Sequence, residues 1–325
     1  MINYLIRRLC YGLLILVGVN LLTFVLFFAL NTPDDMARMN IGGKRVSPDA
    51  IEKWKVERGY NKPLLWNDAK PGVEKATKTI FFERSVQLFA LDFGPSDSGR
   101  DIGYEIRTRM WPSLALALPT FVLGTFVVIV FAMLMVFFRN TYLEISGFTF
   151  AVLLLSISAL FYIVMGQFLF SKVLKLVPIS GFSSGWDAVV FLALPVIIGL
   201  VDRLGGQSIF YRTMFLEEIG KDYVRTARSK GLSEPVVLFR HVLRNALLPI
   251  LTSTVAVLPL LFMGALIMES FFGIPGLGSY TLDAIGAQDF AIVRSMVFVG
   301  SALYILGLIL TDISYTLADP RIRLG

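Results

Sequence analysis

Cysteine and histidine each occur once in these 325 residues, as Cys10 and His241. One cysteine, set inside an apolar run, excludes an intrachain disulfide and a cysteine-based metal site. One histidine excludes a histidine-rich metal site. It stands in a polar loop, solvent- or partner-facing, and leaves no Ser/His/Asp set available. Charged residues make up only 17% of the chain. Neither G-x-x-x-x-G-K-[ST] nor H-E-x-x-H occurs, so the usual phosphate cradle and the zinc-protease helix are both missing. The formal net charge of +6 raises the question of nucleic acid. That reading needs a basic domain, and here the surplus is spread over loops between apolar runs, so no nucleic-acid partner is expected.

What the chain has in quantity is apolar length. It is 55% hydrophobic with a mean hydropathy of +0.70, beyond the range of soluble globular proteins. Six runs, Leu9–Leu30, Trp111–Phe138, Leu143–Phe170, Ala188–Gly205, Leu247–Phe272 and Ala291–Thr316, each meet the length that crosses about 30 Å of hydrocarbon, the fourth only just. The first is too long for the apolar region of a signal peptide, and FALN at its end is a poor cleavage site, so it reads as an uncleaved span. The fold class is therefore an all-α polytopic membrane protein with six transmembrane helices. Residues 31–110 form an extracytoplasmic insertion after the first helix. It mixes both charge signs, has turn pairs at Thr32-Pro33 and Gly42-Gly43 and helix patterning over Pro48–Arg58, and is expected to have limited core of its own.

Orientation follows from the basic residues. Arg7, Arg8, Arg139, Arg321 and Arg323 fall on one side, joined by Arg203, Arg212, Lys221, Arg225, Arg228, Lys230, Arg240 and Arg244 of the 203–245 loop. The short loops opposite hold Lys172, Lys175 and Arg294. Both termini are thus expected in the cytoplasm, and with them a cytoplasmic loop over residues 206–246.

That loop contains the longest polar segment in the second half of the chain, Glu217–Pro249. Phe215, Ile219, Tyr223 and Ala227 recur every four residues and predict one helical face. Gly231 follows Arg228 and Lys230, a helix-ending pattern that predicts a left-handed glycine. Ser233 is a candidate cap for a second helix, with Pro235 in its first turn. The expectation is two short helices bent around Gly231. Of the ionisable residues in or beside the runs, Glu269, Asp202, Arg203 and Asp312 fall near predicted span ends, where they reach the interface or cap a neighbouring helix. In Phe271–Gly278, Gly273, Pro275, Gly276 and Gly278 prevent a regular helix, which predicts a turn or partly re-entrant element near the outer mouth. Gly124, Gly147, Gly166 and Gly264 read as small residues at helix contacts.

YVRTARSKGLSEPVVLFRHVLRNALLPILT resembles the cytoplasmic signature of permease subunits of ATP-binding-cassette importers, in the dipeptide/oligopeptide/nickel branch. YLIRRL near the N-terminus, Gly59–Leu64, Leu91–Gly94 and Val177–Gly181 are similar to that branch. So are Glu269–Phe272 with Pro275–Gly278, and Asp312–Tyr315 with Asp319-Pro320-Arg321. The family's general signature begins Glu-Ala-Ala and reaches Gly after three more residues. Here those positions are Arg225, Thr226, Ala227 and Gly231, and Leu248-Pro249 lies farther on than the general spacing. The resemblance implies a type I importer permease fold. It implies a coupling helix docked on an ATPase, with Tyr223, Arg225, Thr226, Ala227, Arg228, Lys230, Gly231, Ser233 and Glu234 at or beside the contact. Ala227 would allow close approach of the partner. Glu269, Phe272, Pro275, Gly276 and Gly278 would shape an outer-mouth loop, facing either a binding protein or nothing in particular.

The resemblance further implies a chain that performs no chemistry and binds no cofactor, with ATP and magnesium on two ATPase subunits. A second, similar permease and an extracytoplasmic solute-binding protein complete the assembly in a bacterial inner membrane. Peptide is the branch's commonest cargo; nickel or another small solute is the alternative. A stand-alone secondary carrier or channel is the alternative from another class; a proton-coupled carrier would more typically carry acids at mid-depth.

Overall fold

A computed structural model describes residues 2–42, 46–183 and 185–318; Asp319, Pro320, Arg321 and Arg323 lie outside the described residues. The chain runs through α1 (Ile2–Phe24, extended by a π-helical turn to Leu30), α2 (Pro33–Ile41), α3 (Pro48–Arg58), and the short α4 (Glu74–Thr77) and α5 (Ile80–Arg84). Then come α6 (Ile102–Phe137), α7 (Tyr142–Ser156), α8 (Ala159–Gly166, with a π-helical turn to Val173) and α9 (Asp187–Ile219). The last third holds α10 (Asp222–Ser229), α11 (Glu234–Val236, running into π-helical Val237–Leu243), α12 (Arg244–Val255), α13 (Leu266–Phe272), α14 (Leu277–Gly286) and α15 (Phe290–Ala318). Among the described residues the only β pairing is one isolated bridge, Pro95 to Asp101.

Among the described residues four helices are long and apolar enough to cross a membrane, or up to six spans if each of two bent pairs counts as one. The predicted third span is the first bent pair, turned by 88° at the Ile157–Ser158 break between α7 and α8. The predicted fifth span, Leu247–Phe272, is not one helix. It comprises α12, a 3-10 stretch over Leu258–Met263, and α13, which turns by 68° into α14. Pro259 and Gly264, the latter at φ +73, account for the interruption. The fourth span is far longer than predicted, because α9 runs through Gly205-Gly206 to Ile219. At 33 residues it measures about 50 Å at 1.5 Å per residue. Asp202 and Arg203 consequently sit at the midpoint of that helix.

Two compact units divide the chain: the described residues up to Arg109 with Tyr280–Ile309, and Met110–Ser279 with the described residues from Leu310 on. In the first unit, the insertion completes its core on the end of α1. Phe24, Phe28, Met36, Ala37, Ile51, Trp54, Tyr60 and Ile80 are all buried together. Local signals are strong here. Thr32 and Asp35 form a reciprocal capping box before α2, Ser47 caps α3, and Gly59 ends α3 in the left-handed conformation. Arg294, counted above among the outer-loop cations, lies within α15 and is 1% exposed, its guanidinium stacked over the Phe28 ring at 5.2 Å.

Beside that core sits a charged cluster. The Asp97 carboxylate lies 3.9 Å from Arg58 Nε, and the Asp97 amide donates to Asp289 Oδ2 at 3.0 Å. Arg84 donates to the Arg58 carbonyl at 2.7 Å. Burial and the Asp289 charge push the Asp97 carboxyl up to about 6, against the pull of Arg58 and Arg84. Burial raises the Tyr60 phenol to about 12. With Asp97 above the ordinary 3.8, the native state keeps a proton that the unfolded chain has released. The stability this contributes is present below about pH 4 and is lost as pH rises through about 6. Asp97→Asn should therefore flatten the fall in thermal midpoint between about pH 4 and pH 7, an effect on the order of 2 kcal/mol. Melting the wild type and variant in detergent across that range measures it.

In the second unit, helices approach closely where glycines allow it. A Cβ on Gly205 would lie 2.7 Å from the Leu155 backbone nitrogen, so α7 and α9 touch main chain to main chain. Gly166 faces Ile198, Gly147 faces Met135, and Gly124 faces the Arg203 side chain. Gly264 also sits at a helix contact, between Glu269 of α13 and Ser113 of α6, but in the left-handed conformation. Glu144 near the start of α7 pairs with Arg212 of α9, which takes up one of the cations read above as a topology signal.

Candidate functional site

The polar segment is held from beneath by a buried core. Val128, Ala132, Met133, Met135 and Val136 of α6 meet Tyr211, Phe215 and Ile219 of α9. Val224 and Ala227 of α10, Val237, Leu238 and Val242 beyond the bend, and Ala246 and Ile250 of α12 complete it. The four-residue recurrence thus does not describe one helix. α9 stops at Ile219, Gly220 and Lys221 turn the chain, and α10 begins at Asp222. Tyr223, from that recurrence, stays 36% exposed while its neighbour Val224 is fully buried. Ala227 is 4% exposed and packs inward, so its small size serves this chain's own core and does not open a surface to a partner.

The bend is where the glycine predicts it. Gly231 has φ +75, and its amide donates to the Arg228 carbonyl at 2.9 Å. Ser233 occupies the position before α11, but its hydroxyl makes no capping bond; its carbonyl instead accepts from the Val237 amide at 3.0 Å. Arg228 and Glu234 close the bend with two parallel bonds, Nε to Oε1 at 2.7 Å and a terminal nitrogen to Oε2 at 3.2 Å. Arg225 pairs only loosely with Asp222 at 3.6 Å, and its side chain is 73% exposed. With Thr226, Ser229 and Lys230 it forms the open face of α10. Tyr223 donates to Glu218, and burial together with that carboxylate pushes its phenol up to about 12.

The stretch after α13 is a knot around one carboxylate. Glu269 is fully buried; its Oε1 accepts from the Ala265 amide at 3.1 Å and its Oε2 from the Ser279 amide at 3.0 Å. Ser113 of α6 accepts from the Leu277 amide at 2.7 Å. The carboxylate lies at the N-terminal end of α14, where open amides and the helix dipole favour negative charge. Cβ atoms on Gly264 or Gly276 would overlap the Glu269 carboxylate, and one on Gly278 would lie 2.7 Å from the Ala265 carbonyl carbon. Phe272 is 2% exposed and packs with Leu116, Ile163 and Leu192. Of the predicted outer-mouth residues, only Pro275 reaches the surface. Ser113 and Ser279 were not singled out from the sequence; a serine beside Pro112 within an apolar run was the available signal.

His241 is partly buried in the π-helical stretch, and no group of three metal-ligating side chains occurs among the described residues. The letters of a nucleophile elbow occur at Gly181–Gly185, but no strand precedes them, and Ser184 lies outside the described residues.

Apolar helices in this number, with a basic bend clamped between them, define a multi-pass membrane component. The chain belongs to the family of binding-protein-dependent transport system inner membrane components, whose model matches residues 108–324. A companion model for the N-terminal part of such membrane components matches residues 1–82. The resemblance to importer permeases is borne out at this level. Over 331 residues the chain is 31% identical to a putative peptide transport system permease protein of Brucella abortus, covering 98% of each. It is 29% identical to the oligopeptide transport system permease protein AppB of Bacillus subtilis over 99% of this chain. The dipeptide transport system permease protein DppB of Bacillus subtilis is 30% identical over 75% of it.

The carboxylate knot is testable without a transport assay. Glu269→Ala leaves the Ala265 and Ser279 amides without this acceptor and opens a void, which should destabilise the protein by about 2–4 kcal/mol. Gly276→Ala should do comparable damage by displacing the carboxylate. Thermal midpoints in detergent check both.

Proposed function

We propose that this chain is one of two membrane-spanning subunits of an ATP-driven peptide importer, with α10 and the Gly231 bend as the point where ATPase subunits act on it. The observation carrying this reading is that α10 has two unlike faces. Val224 and Ala227 are buried against α6, α9 and α12, whereas Arg225, Thr226, Ser229 and Lys230 are open. Close-packed interiors do not absorb displacement by compressing. A push on the open face is therefore passed to three membrane helices at once. The cations suit an acidic groove on a partner, and exposed Leu232 and Val236 beside them supply apolar contact.

In this reading ATP and magnesium belong to two partner ATPases, and the chain gates and transmits but does not catalyse. A second permease completes the pathway, a binding protein delivers solute outside, and both termini are cytoplasmic. Peptide is the cargo because the relatives named above carry peptide-transport names. The Arg228–Glu234 pair keeps the two arms of the bend together, so that α10 and α11 move as one piece.

A Cβ at Gly231 would meet nothing within 4 Å, so only its positive φ restricts substitution there. Gly231→Val should strain the bend by about 1–2 kcal/mol and uncouple ATP hydrolysis from uptake while membrane insertion stays intact. Reconstituting the complete importer and measuring both rates tests this. Full coupling in the valine variant would overturn the account.

A further inference from the structure

The midpoint of α9 carries two adjacent ionisable side chains, and both line one cavity of about 280 Å³. Its walls include Thr120 of α6, Pro195 of α9, and Gly264 and Met268 of the interrupted segment; most of the lining is apolar. Arg203 is half-buried and held: its guanidinium lies 5.3 Å from the Phe121 ring centre and donates to Gln207 at 3.4 Å. Asp202 is exposed, and among the described residues no hydrogen bond or ion pair holds its carboxylate. An ionisable group within an apolar span faces a water-filled cavity or a partner charge. The opposite wall supplies an independent sign. Irregular backbone at membrane depth occurs where it lines a cavity, and interrupted helices frame solute sites in other transporters.

We propose that this cavity is a solute subsite on the translocation path, where Asp202 meets the ammonium and Arg203 the carboxylate of a zwitterionic peptide. The assignment rests on the peptide reading above. Adjacent opposite charges select this chemistry. A simple cation drawn to Asp202 is repelled by Arg203, and a simple anion the reverse, whereas a solute with both charges meets both. A neutral solute needs neither. The volume is near the lower limit of about 300 Å³ for ligand sites, which suits a short peptide or one end of a longer one. The remaining apolar wall makes no demand on side-chain identity.

The test uses the complete importer in proteoliposomes: this chain, its partner permease, both ATPases and the binding protein, offered an equimolar pool of alanine di- to pentapeptides. Asp202→Asn and Arg203→Gln should each cut uptake by at least about tenfold, the loss of one charge-assisted hydrogen bond. Asp202→Glu should restore it, with subunit assembly and binding-protein-stimulated ATP hydrolysis unchanged throughout. Unchanged uptake in both neutral variants overturns the subsite and leaves the importer reading standing. So does loss of assembly, or of ATP hydrolysis in step with uptake, since either makes the pair structural. If the wild type takes up no peptide and instead carries another solute, the function proposed above falls together with this assignment.

Discussion

Inside a bilayer every backbone amide needs a partner within the protein, and in this chain the constraint is sharpest between Val255 and Leu277. There an apolar run long enough to be one helix is broken into pieces, which opens amides at each break. The Glu269 carboxylate answers two of them, at Ala265 and Ser279, and thereby ties the start of α13 to the start of α14. Ser113 answers a third from α6. Gln167 and Gly181 donate to the carbonyls of Phe271 and Phe272, which satisfies the far side of the same turn. Phe272 and Ile274 then pack among Leu116, Ile163 and Leu192. An irregular segment is in this way made as fixed as a helix.

The interrupted segment and the basic bend are two ends of one mechanical problem. α12 starts in the core beneath α10 and leads directly into the break, so the chain from Asp222 to Met268 joins the exposed face of α10 to a wall that lines a cavity. α6 and α9 serve both ends, with Phe215 and Val136 at the bend and Thr120 and Pro195 at the cavity. Rigid helices joined by close-packed contacts suit transmission over such a distance better than loops would.

Features set by neighbours in sequence were legible in advance, and features set by neighbours in space were not. α3 spans Pro48–Arg58 as its proline and glycine punctuation indicates, and Gly231 bends the chain with φ +75. The fourth apolar run ends at Gly205 in sequence, whereas in space Gly205 lies inside α9 and admits the α7 backbone. Ala227 looked like room for a partner because nothing local reveals that Val237 and α12 fold over it. Glu269 looked like an interfacial acid for the same reason: its partners at Ser113 and Ser279 are distant in sequence or beyond a turn. The insertion's core was not legible as a whole because part of it, Phe24 and Phe28, belongs to the first span.

The main-chain contact of Gly205 with Leu155 carries a kinematic consequence. Sliding α9 along α7 by one helical turn would bring the side chain of Val201 or Ile209 into a gap that fits only hydrogen, so that translation is blocked. Rocking about the contact moves no atom into that gap. The joint lies close to halfway along α9, with Leu192 and Leu194 on one arm and Phe215 and Ile219 on the other. A rigid helix rocked about that contact would carry its two ends in opposite directions.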